Sequence, residues 1–247
     1  MQIHRVHRLE AAEARGVVIV IDVIRAFSVA AYAFAGGARA IWLVRAVEEV
    51  IALREREPSA LLAGEVRGRL IAGFDFNNSP AGMAAADVRG RLLIQRTGAG
   101  TQGAVNATGA AYLLPCSLVT ARATAGYARR LAEATGEIIT LMPTESSGGQ
   151  DELFMEDYIC ADYLEALLRQ QADAPAVLAA GVQRLRDSGR LDIFEQGYPD
   201  FPPEDVPAFL AADRFAFAMQ GVREEWNGIT VINTRRVDVP DETARNA

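Results

Sequence analysis

A run of β-branched residues near the N-terminus does most to set the fold class of this chain. Residues 17–21 read Val-Val-Ile-Val-Ile and end at Asp22. An apolar run of this length without polar alternation is typical of a central strand that is buried on both faces. Predicted helices and strands alternate after it as far as residue 171. The pattern therefore predicts a three-layer α/β/α fold around a largely parallel or mixed sheet.

The boundaries of the predicted elements come from apolar runs and from helical periodicity. Predicted strands cover 17–21, 40–44, 61–63, 91–95, 111–114, 137–142 and 229–232. Predicted helices cover 26–34, 47–56, 100–108, 119–134, 155–171, 174–181 and 208–219, with a proline-rich loop at 198–207. We expect one domain over residues 1–247, with a boundary between two subdomains near 172–182 as the alternative.

Composition excludes several classes of protein. The net charge of −7 argues against general binding to nucleic acid or to an anionic membrane. No apolar run reaches the roughly 18 residues that span a bilayer, and the first residues lack a signal-peptide pattern, so we expect a cytoplasmic protein. Cys116 and Cys160 are two isolated cysteines without CxxC spacing, which argues against a zinc site or a disulfide framework. The apolar segment 26–34 suits a core helix or the interface of a homo-oligomer equally.

Two acidic residues stand at or near strand ends, each followed by an arginine. Asp22 ends the first predicted strand and precedes Arg25, while Glu65 follows the strand at 61–63 and precedes Arg67. Strand ends followed by polar, glycine-rich loops are where open α/β proteins bind ligands. A guanidinium group is suited to phosphate or carboxylate oxygens. The alternatives are that Asp22 caps a helix and that the Glu65 segment is a solvated hairpin.

Two further loops could bind an anion. Asn78 and Ser79 precede a helix predicted to start at Pro80, where Ser79 is either an N-cap or part of an anion site. The loop after the fourth strand offers backbone amides and hydroxyls for a phosphate, or it is a plain tight turn. The candidate phosphate-binding residues of this second loop are Arg96, Thr97, Gly98, Gly100 and Thr101.

Both histidines lie in the first seven residues, which disfavours a Ser-His-Asp triad, a Cys-His pair or a His-rich zinc site. Glu156 and Asp157 begin the predicted helix at 155–171, where they either complement the helix dipole or bind a metal. Carboxylate oxygens without histidine or cysteine nearby suit Mg²⁺. We therefore predict that Asp22 and Glu65, with Glu156 or Asp157, hold Mg²⁺.

Several of these segments together resemble the 2-phosphosulfolactate phosphatases, the ComB family. Asp22-Val23-Ile24-Arg25-Ala26 is similar to the family's Asp-Val-Leu-Arg-Ala motif. Residues 64–68 and 73–80 resemble its Gly-Glu-Arg-Asn-Gly and Gly-Phe-Asp-x-Gly-Asn-Ser-Pro segments, the second being the specific one. The loop at 97–102 resembles its Thr-Thr-Asn-Gly-Thr-Arg loop, and residues 156–157 resemble its Glu-Asp helix start.

The resemblance implies a ComB-like α/β/α fold and Mg²⁺-dependent hydrolysis of 2-phospho-3-sulfolactate, a step of coenzyme M biosynthesis. It favours Asp22, Arg25, Glu65, Asn78, Ser79, Thr97, Gly100, Thr101, Glu156 and Asp157 as site positions. The chain departs from the family pattern at Val66 and Arg67, at Ala99 in place of Asn, and at Gln102 in place of Arg. An Arg-to-Gln difference removes a bidentate anion clamp, which Arg67 or Arg96 would restore.

The sequence therefore predicts a Mg²⁺-dependent phosphatase for a small anionic phosphomonoester. In this interpretation Asp22, Arg25 and Glu65 are catalytic, and an aspartyl-phosphate route through Asp22 is the alternative to attack by water. A non-catalytic sensor of a phosphorylated or sulfonated metabolite is the second hypothesis, because of the altered loop. A dinucleotide-binding oxidoreductase is the third and rests on the Gly-x-Gly-x-x-Gly spacing of residues 98–103. Phe194, Tyr198 and Phe201 form either a lid or a packed surface loop.

Overall fold

The computed structural model describes residues 1–144 and 155–240. The strands are β1 Ile3–Arg5, β2 Gly16–Ile21, β3 Ala40–Leu43, β4 Leu61–Val66, β5 Arg69–Leu70, β6 Leu92–Arg96, β7 Ala110–Cys116, β8 Ile139–Pro143, β9 Phe217–Trp226 and β10 Ile229–Asp238. The helices are α1 Ala26–Ala35, α2 Val47–Arg56, α3 Pro80–Ala84, α4 Gly100–Asn106, α5 Ala121–Thr135, α6 Met155–Leu168, α7 Ala174–Asp187 and α8 Asp205–Leu210. Short 3₁₀ helices cover Arg8–Glu13, Leu118–Thr120 and Asp192–Glu195.

The strands form one mixed sheet in the order β1-β8-β2-β7-β9-β10-β3-β6-β4-β5. One block of parallel strands contains β1, β8, β2 and β7, and the other contains β3, β6 and β4. The antiparallel hairpin of β9 and β10 lies between the two blocks. It follows that the two parallel blocks run in opposite directions, which strand–helix alternation along the chain did not reveal.

Alternate residues of the strands face different layers, as the pleat of a strand requires. In β2, Val18 and Val20 pack with α1 on one side of the sheet. Val17, Ile19 and Ile21 point to the other side of the sheet and pack with α5 and α6. In the second block, α2 covers the outer face of β3, β4 and β6. The α/β class expected from the sequence is therefore confirmed, and the sheet is mixed.

Helix α1 lies in the core of the molecule. Every residue from Ala26 to Phe34 is buried, so the helix has no solvent-facing side over that span. It packs with apolar residues from both parallel blocks, among them Val20 of β2 and Ile41 of β3. Strands β2 and β3 lie four places apart in the sheet order, and α1 belongs to the core cluster that contains residues of both.

The prediction of a helix over 208–219 is right only for its first three residues. Helix α8 ends at Leu210, and residues from Phe217 onward form β9, which pairs with β10 along its length. Between them Asp213 adopts a left-handed backbone conformation with φ of 56°, and its carboxylate accepts a hydrogen bond from the Arg122 amide at 2.9 Å. An apolar run of this length fits either element, and here the long-range pairing of β9 decides.

Candidate active site

A cavity of about 480 Å³ lies where chain segments from both parallel blocks meet. Its wall includes residues that follow β2 and β6, the turn between β4 and β5, the end of β8 and the first turn of α6. Of the residues predicted as site positions, those that line the cavity are Asp22, Arg25, Glu65, Arg67, Asn78, Thr97, Gly98, Glu156 and Asp157. Acids from distant parts of the chain therefore meet at one place.

Asp22 is buried at the start of α1. Its Oδ1 accepts a hydrogen bond from the Ala26 amide at 2.9 Å, so the helix-capping alternative holds alongside its place in the cavity. A Cβ atom on Gly100 would lie 2.6 Å from Oδ2 of Asp22, so only glycine lets the loop approach this closely. Burial, with the negative charges of Glu65 and Glu156, raises the pKa of Asp22 to about 7, despite hydrogen bonds from the Ala26 and Gly100 amides.

Asp157 ties the ends of two strands to α6. Its Oδ1 accepts from the Val23 amide at 2.8 Å, and its Oδ2 accepts from the Thr144 amide at 3.2 Å. Burial raises the pKa of Asp157 well above its ordinary value, and the negative charges of Asp22 and Glu156 raise it further. The segment 145–154 that precedes α6 lies outside the described residues.

Glu65 bridges the two glycine-containing loops. Its Oε1 accepts from the Gly98 amide and its Oε2 from the Gly68 amide, both at 2.6 Å. The amides of Gly98 and Gly100, predicted to cradle a phosphate, are thus hydrogen-bonded to the carboxylates of Glu65 and Asp22. Gly98 and Gly100 therefore allow close packing against acidic side chains, whereas Gly103 packs against Thr144 and Val20.

Four of the predicted positions lie behind the cavity wall. They are Ser79, Arg96, Gly100 and Thr101, none of which is among the residues that line it. The Ser79 hydroxyl accepts from the Gly82 amide at 3.0 Å, which is the N-cap alternative for that residue. Nη1 of Arg96 donates to the Glu65 carbonyl at 2.8 Å, so this arginine braces β4.

Thr101 is fully buried and supports the loop from within. Its hydroxyl accepts from the Thr97 amide at 2.9 Å and donates to the Thr97 carbonyl at 3.0 Å. The side chain of Gln102 also turns to the loop, donating to the carbonyls of Arg45 at 2.8 Å and Thr97 at 3.0 Å. Of the two departures from the family pattern in this loop, Ala99 lines the cavity and Gln102 does not.

Arg25 is buried at the cavity wall and held on several sides. Nη1 donates to the Asp200 carbonyl at 2.7 Å and to Oδ2 of Asp205 at 2.8 Å, and Nη2 donates to the Gly68 carbonyl at 3.3 Å. The rings of Phe194 and Phe201 lie 5.6 and 4.7 Å from the guanidinium carbon. Of the three aromatic residues offered as a lid or a packed surface loop, Phe194 and Phe201 pack against Arg25, and Tyr198 is exposed.

Sequence reasoning missed two charged residues of the site. Arg190 lines the cavity and pairs with Glu156, with Nη2 at 2.9 Å from Oε1 and Nε at 3.3 Å from Oε2. Asp205 is completely buried and pairs with Arg25. The two prolines shortly before Asp205 signal the start of a helix. They give no indication that Asp205 pairs with Arg25, which lies 180 residues away.

The donor set fits a hard cation that is held by a few protein oxygens. Four carboxylates and three guanidinium groups line the cavity, and Oδ1 of Asn78 is buried without a hydrogen-bond partner among the described residues. Within residues 1–144 and 155–240, no three acidic, histidine or cysteine side chains are arranged to hold a metal by themselves. Mg²⁺ is commonly bound through one or two carboxylates, with waters and substrate phosphate completing its shell.

Comparison with known proteins agrees with the resemblance seen in the sequence. A family model described as 2-phosphosulpholactate phosphatase matches residues 3–191. A probable 2-phosphosulfolactate phosphatase of Bacillus subtilis is 35% identical over 189 residues, which are 76% of this chain and 79% of the relative. Proteins of the same description from Carboxydothermus hydrogenoformans and Deinococcus radiodurans are 31% and 37% identical, covering 81% and 68% of this chain and 75% and 70% of themselves.

Proposed function

This chain belongs to the 2-phosphosulpholactate phosphatase family, and we propose that it hydrolyses a small anionic phosphomonoester to the hydroxy acid and phosphate. The substrate we propose is 2-phospho-3-sulfolactate or a closely related 2-phospho acid. The observation that carries the proposal is the meeting of Asp22, Glu65, Glu156 and Asp157 with three arginines around one cavity.

The charge balance of the cavity supports a metal-assisted reaction on an anion. When all four carboxylates at the wall are ionised they outnumber the three guanidinium groups, and Asp205 further offsets the charge of Arg25. An anionic substrate would meet net repulsion in such a cavity unless a cation entered with it. We propose that Mg²⁺ is that cation, held directly or through water by Asp22 and Glu65 with Glu156 or Asp157.

When bound, Mg²⁺ would neutralise phosphoryl oxygens and lower the pKa of the attacking water. The protein's own part is to orient the ester and to stabilise charge as it moves. Arg25 would bind phosphoryl oxygens from its fixed position at the wall, and Arg67 and Arg190 would bind the remaining acidic groups of the substrate. Phe194 and Phe201 exclude water from the buried side of Arg25.

A carboxylate that does not ligate the cation would accept the proton of the attacking water. Trapping of a phosphorylated Asp22 would replace the water mechanism by a covalent one. The Asp-x-Asp signature that aspartyl-phosphate phosphatases carry is absent here, since Ile24 stands two residues after Asp22.

The wider assignments are also proposals. We place the reaction in the cytoplasm and in coenzyme M biosynthesis, with a homo-oligomer as the working assembly, on the strength of the sequence and the family. In the described part of the chain, every helix is too short or too polar to cross a lipid bilayer. The net charge of −7 argues against a nucleic-acid partner.

Phosphate release from a panel of 2-phospho acids, with Mg²⁺ and with a chelator, tests the proposal. We expect turnover that needs the metal and that is lost in Asp22→Asn and Glu65→Gln. Asp162→Asn is the matched control, because Asp162 lies on α6 but pairs with Arg5 at the surface. Binding of every compound without turnover would favour the sensor hypothesis instead.

A further inference from the structure

Asp205 is a buried charge that the proposed reaction does not use directly. It is fully buried at the start of α8, and it lies beyond the residues 3–191 that the family model matches. A carboxylate is costly to bury unless its oxygens are paired and hydrogen-bonded. Its partners therefore indicate what it is for.

The partners of Asp205 are Arg25 at the cavity wall and the start of α3 behind it. Its Oδ2 accepts from Nη1 of Arg25 at 2.8 Å. Its Oδ1 accepts from the Ser79 hydroxyl at 2.6 Å and from the Ala81 amide at 3.0 Å. Since Asn78 precedes Ser79 directly and lines the cavity, one carboxylate fixes both the arginine and the neighbouring asparagine loop.

The segment that precedes Asp205 completes the enclosure of Arg25. The Asp200 carbonyl accepts from Nη1 of Arg25, and the ring of Phe201 covers the face of the guanidinium group. A Cβ on Gly68 would lie 2.3 Å from the Phe201 ring, so the hairpin turn also packs against this segment. Arg25 is thus held in one orientation by contacts on its edge and its face.

A free arginine side chain loses much rotamer freedom when it binds an anion, which weakens the binding. An arginine that is already held at the correct place avoids that loss and keeps its charge aligned with the reacting group. We propose that Asp205 is a positioning residue that fixes Arg25 for binding the phosphoryl group. This inference rests on the proposed function, in which Arg25 contacts the phosphoryl oxygens.

Asp205→Asn tests the proposal, because it keeps the size of the side chain and removes its charge. We expect kcat/KM to fall by about 10- to 100-fold, the loss typical of a misplaced catalytic group. We also expect weaker binding of inorganic phosphate in the presence of Mg²⁺, measured by calorimetry. The phosphate measurement applies even if no ester in the panel is turned over, so failure of the proposed reaction and failure of the positioning role remain distinguishable.

A double-mutant cycle separates positioning from general support of the fold. If Asp205 acts through Arg25, Asp205→Asn should have little further effect on phosphate affinity in the Arg25→Lys background. Additive losses would overturn the proposal. Each variant is measured well below its melting midpoint, because the buried ion pair also contributes to stability.

Glu204→Gln is the matched control within the same segment. Glu204 directly precedes Asp205, but its side chain is exposed and makes no capping hydrogen bond, so phosphate affinity should stay within about twofold. If Asp205→Asn does not fold, Asp205→Glu keeps the charge and shifts its position. Unchanged phosphate affinity in folded Asp205→Glu or Asp205→Asn protein would overturn the proposal.

Discussion

Replacing Asp22 by asparagine should stabilise the metal-free protein while removing its activity. Asp22 is buried beside Glu65 and Glu156, so at neutral pH its negative charge is held in an unfavourable place. Asparagine has nearly the same shape and can still accept from the Ala26 amide through its oxygen. The substitution therefore removes repulsion but little packing, as is common where function and stability conflict.

The magnitude follows from the shift in pKa. A rise from 3.8 to about 7 corresponds to about 4 kcal/mol between the two protonation states. The amide nitrogen of the new side chain would face the Gly100 amide, a mismatch that costs about 1–2 kcal/mol. We expect a net gain of about 2 kcal/mol, or about 4–8 °C in melting temperature for a chain of this size.

The gain should depend on pH in a definite direction. Because folding raises the pKa of Asp22, the folded wild type binds a proton more tightly than the unfolded chain does. The contribution of Asp22 to the free energy of unfolding of the wild type is therefore present at low pH and is lost as the pH rises toward about 7. The advantage of Asp22→Asn should be near zero at about pH 5 and complete at about pH 8.

Urea unfolding of both proteins with a chelator, at the two pH values, measures the effect. Glu165→Gln is a control for which the change in stability should have the opposite sign. Burial opposes ionisation of Glu165, but hydrogen bonds from Arg169 and Arg5 outweigh it, so the pKa of Glu165 is lowered. That variant should lose stability above the normal titration range of a glutamate. A wild type that is more stable than Asp22→Asn at about pH 8 without metal would refute the reasoning, as would a gain independent of pH.

Three more predictions follow from single contacts. Gly100→Ala should abolish phosphate release and lower the melting temperature, because its Cβ would lie 2.6 Å from Oδ2 of Asp22. The control is Gly126→Ala, whose Cβ has room, and this variant should be neutral or more stable by about 0.5–1 kcal/mol. Arg190→Gln should raise KM more for substrates with a sulfonate or second carboxylate than for a simple phosphomonoester, in steady-state assays of both. Burial and the nearby second thiol raise the pKa of Cys160, so a thiol reagent should modify neither cysteine until urea is added.

The parts of the fold that were predictable have strong local signals. The run at 17–21 became part of the fully buried strand β2, and the helix expected at 26–34 became α1. Acids at strand ends could be singled out because a polar residue after an apolar strand has few packing roles. Asp22 and Glu65 were singled out in this way, and both line the cavity.

The parts that were not predictable depend on contacts that leave no local pattern. The Arg25–Asp205 pair joins residues 180 positions apart, and Arg190 is one arginine among several in a polar region. The loop amides show the same difficulty, since a glycine-rich turn that could bind phosphate looks identical to one that binds Glu65. Only the tertiary structure decides which acceptor the amides meet.

The direction of the strands poses a harder question, because the two parallel blocks run in opposite directions. In a flat sheet their carboxyl ends would lie at opposite edges, and Asp22 of one block could not approach Glu65 of the other. Twist accumulates along a ten-stranded sheet, so the edges of distant strands are not held in one plane, and here residues from both blocks line one cavity beside the start of α1. Asp22 and Arg25 lie directly before α1, and a Cβ on Gly100 would lie 2.6 Å from Oδ2 of Asp22 and 3.0 Å from the Cβ of Ala26. The start of one core helix is therefore also the place where the loop after β6 meets the acid that follows β2.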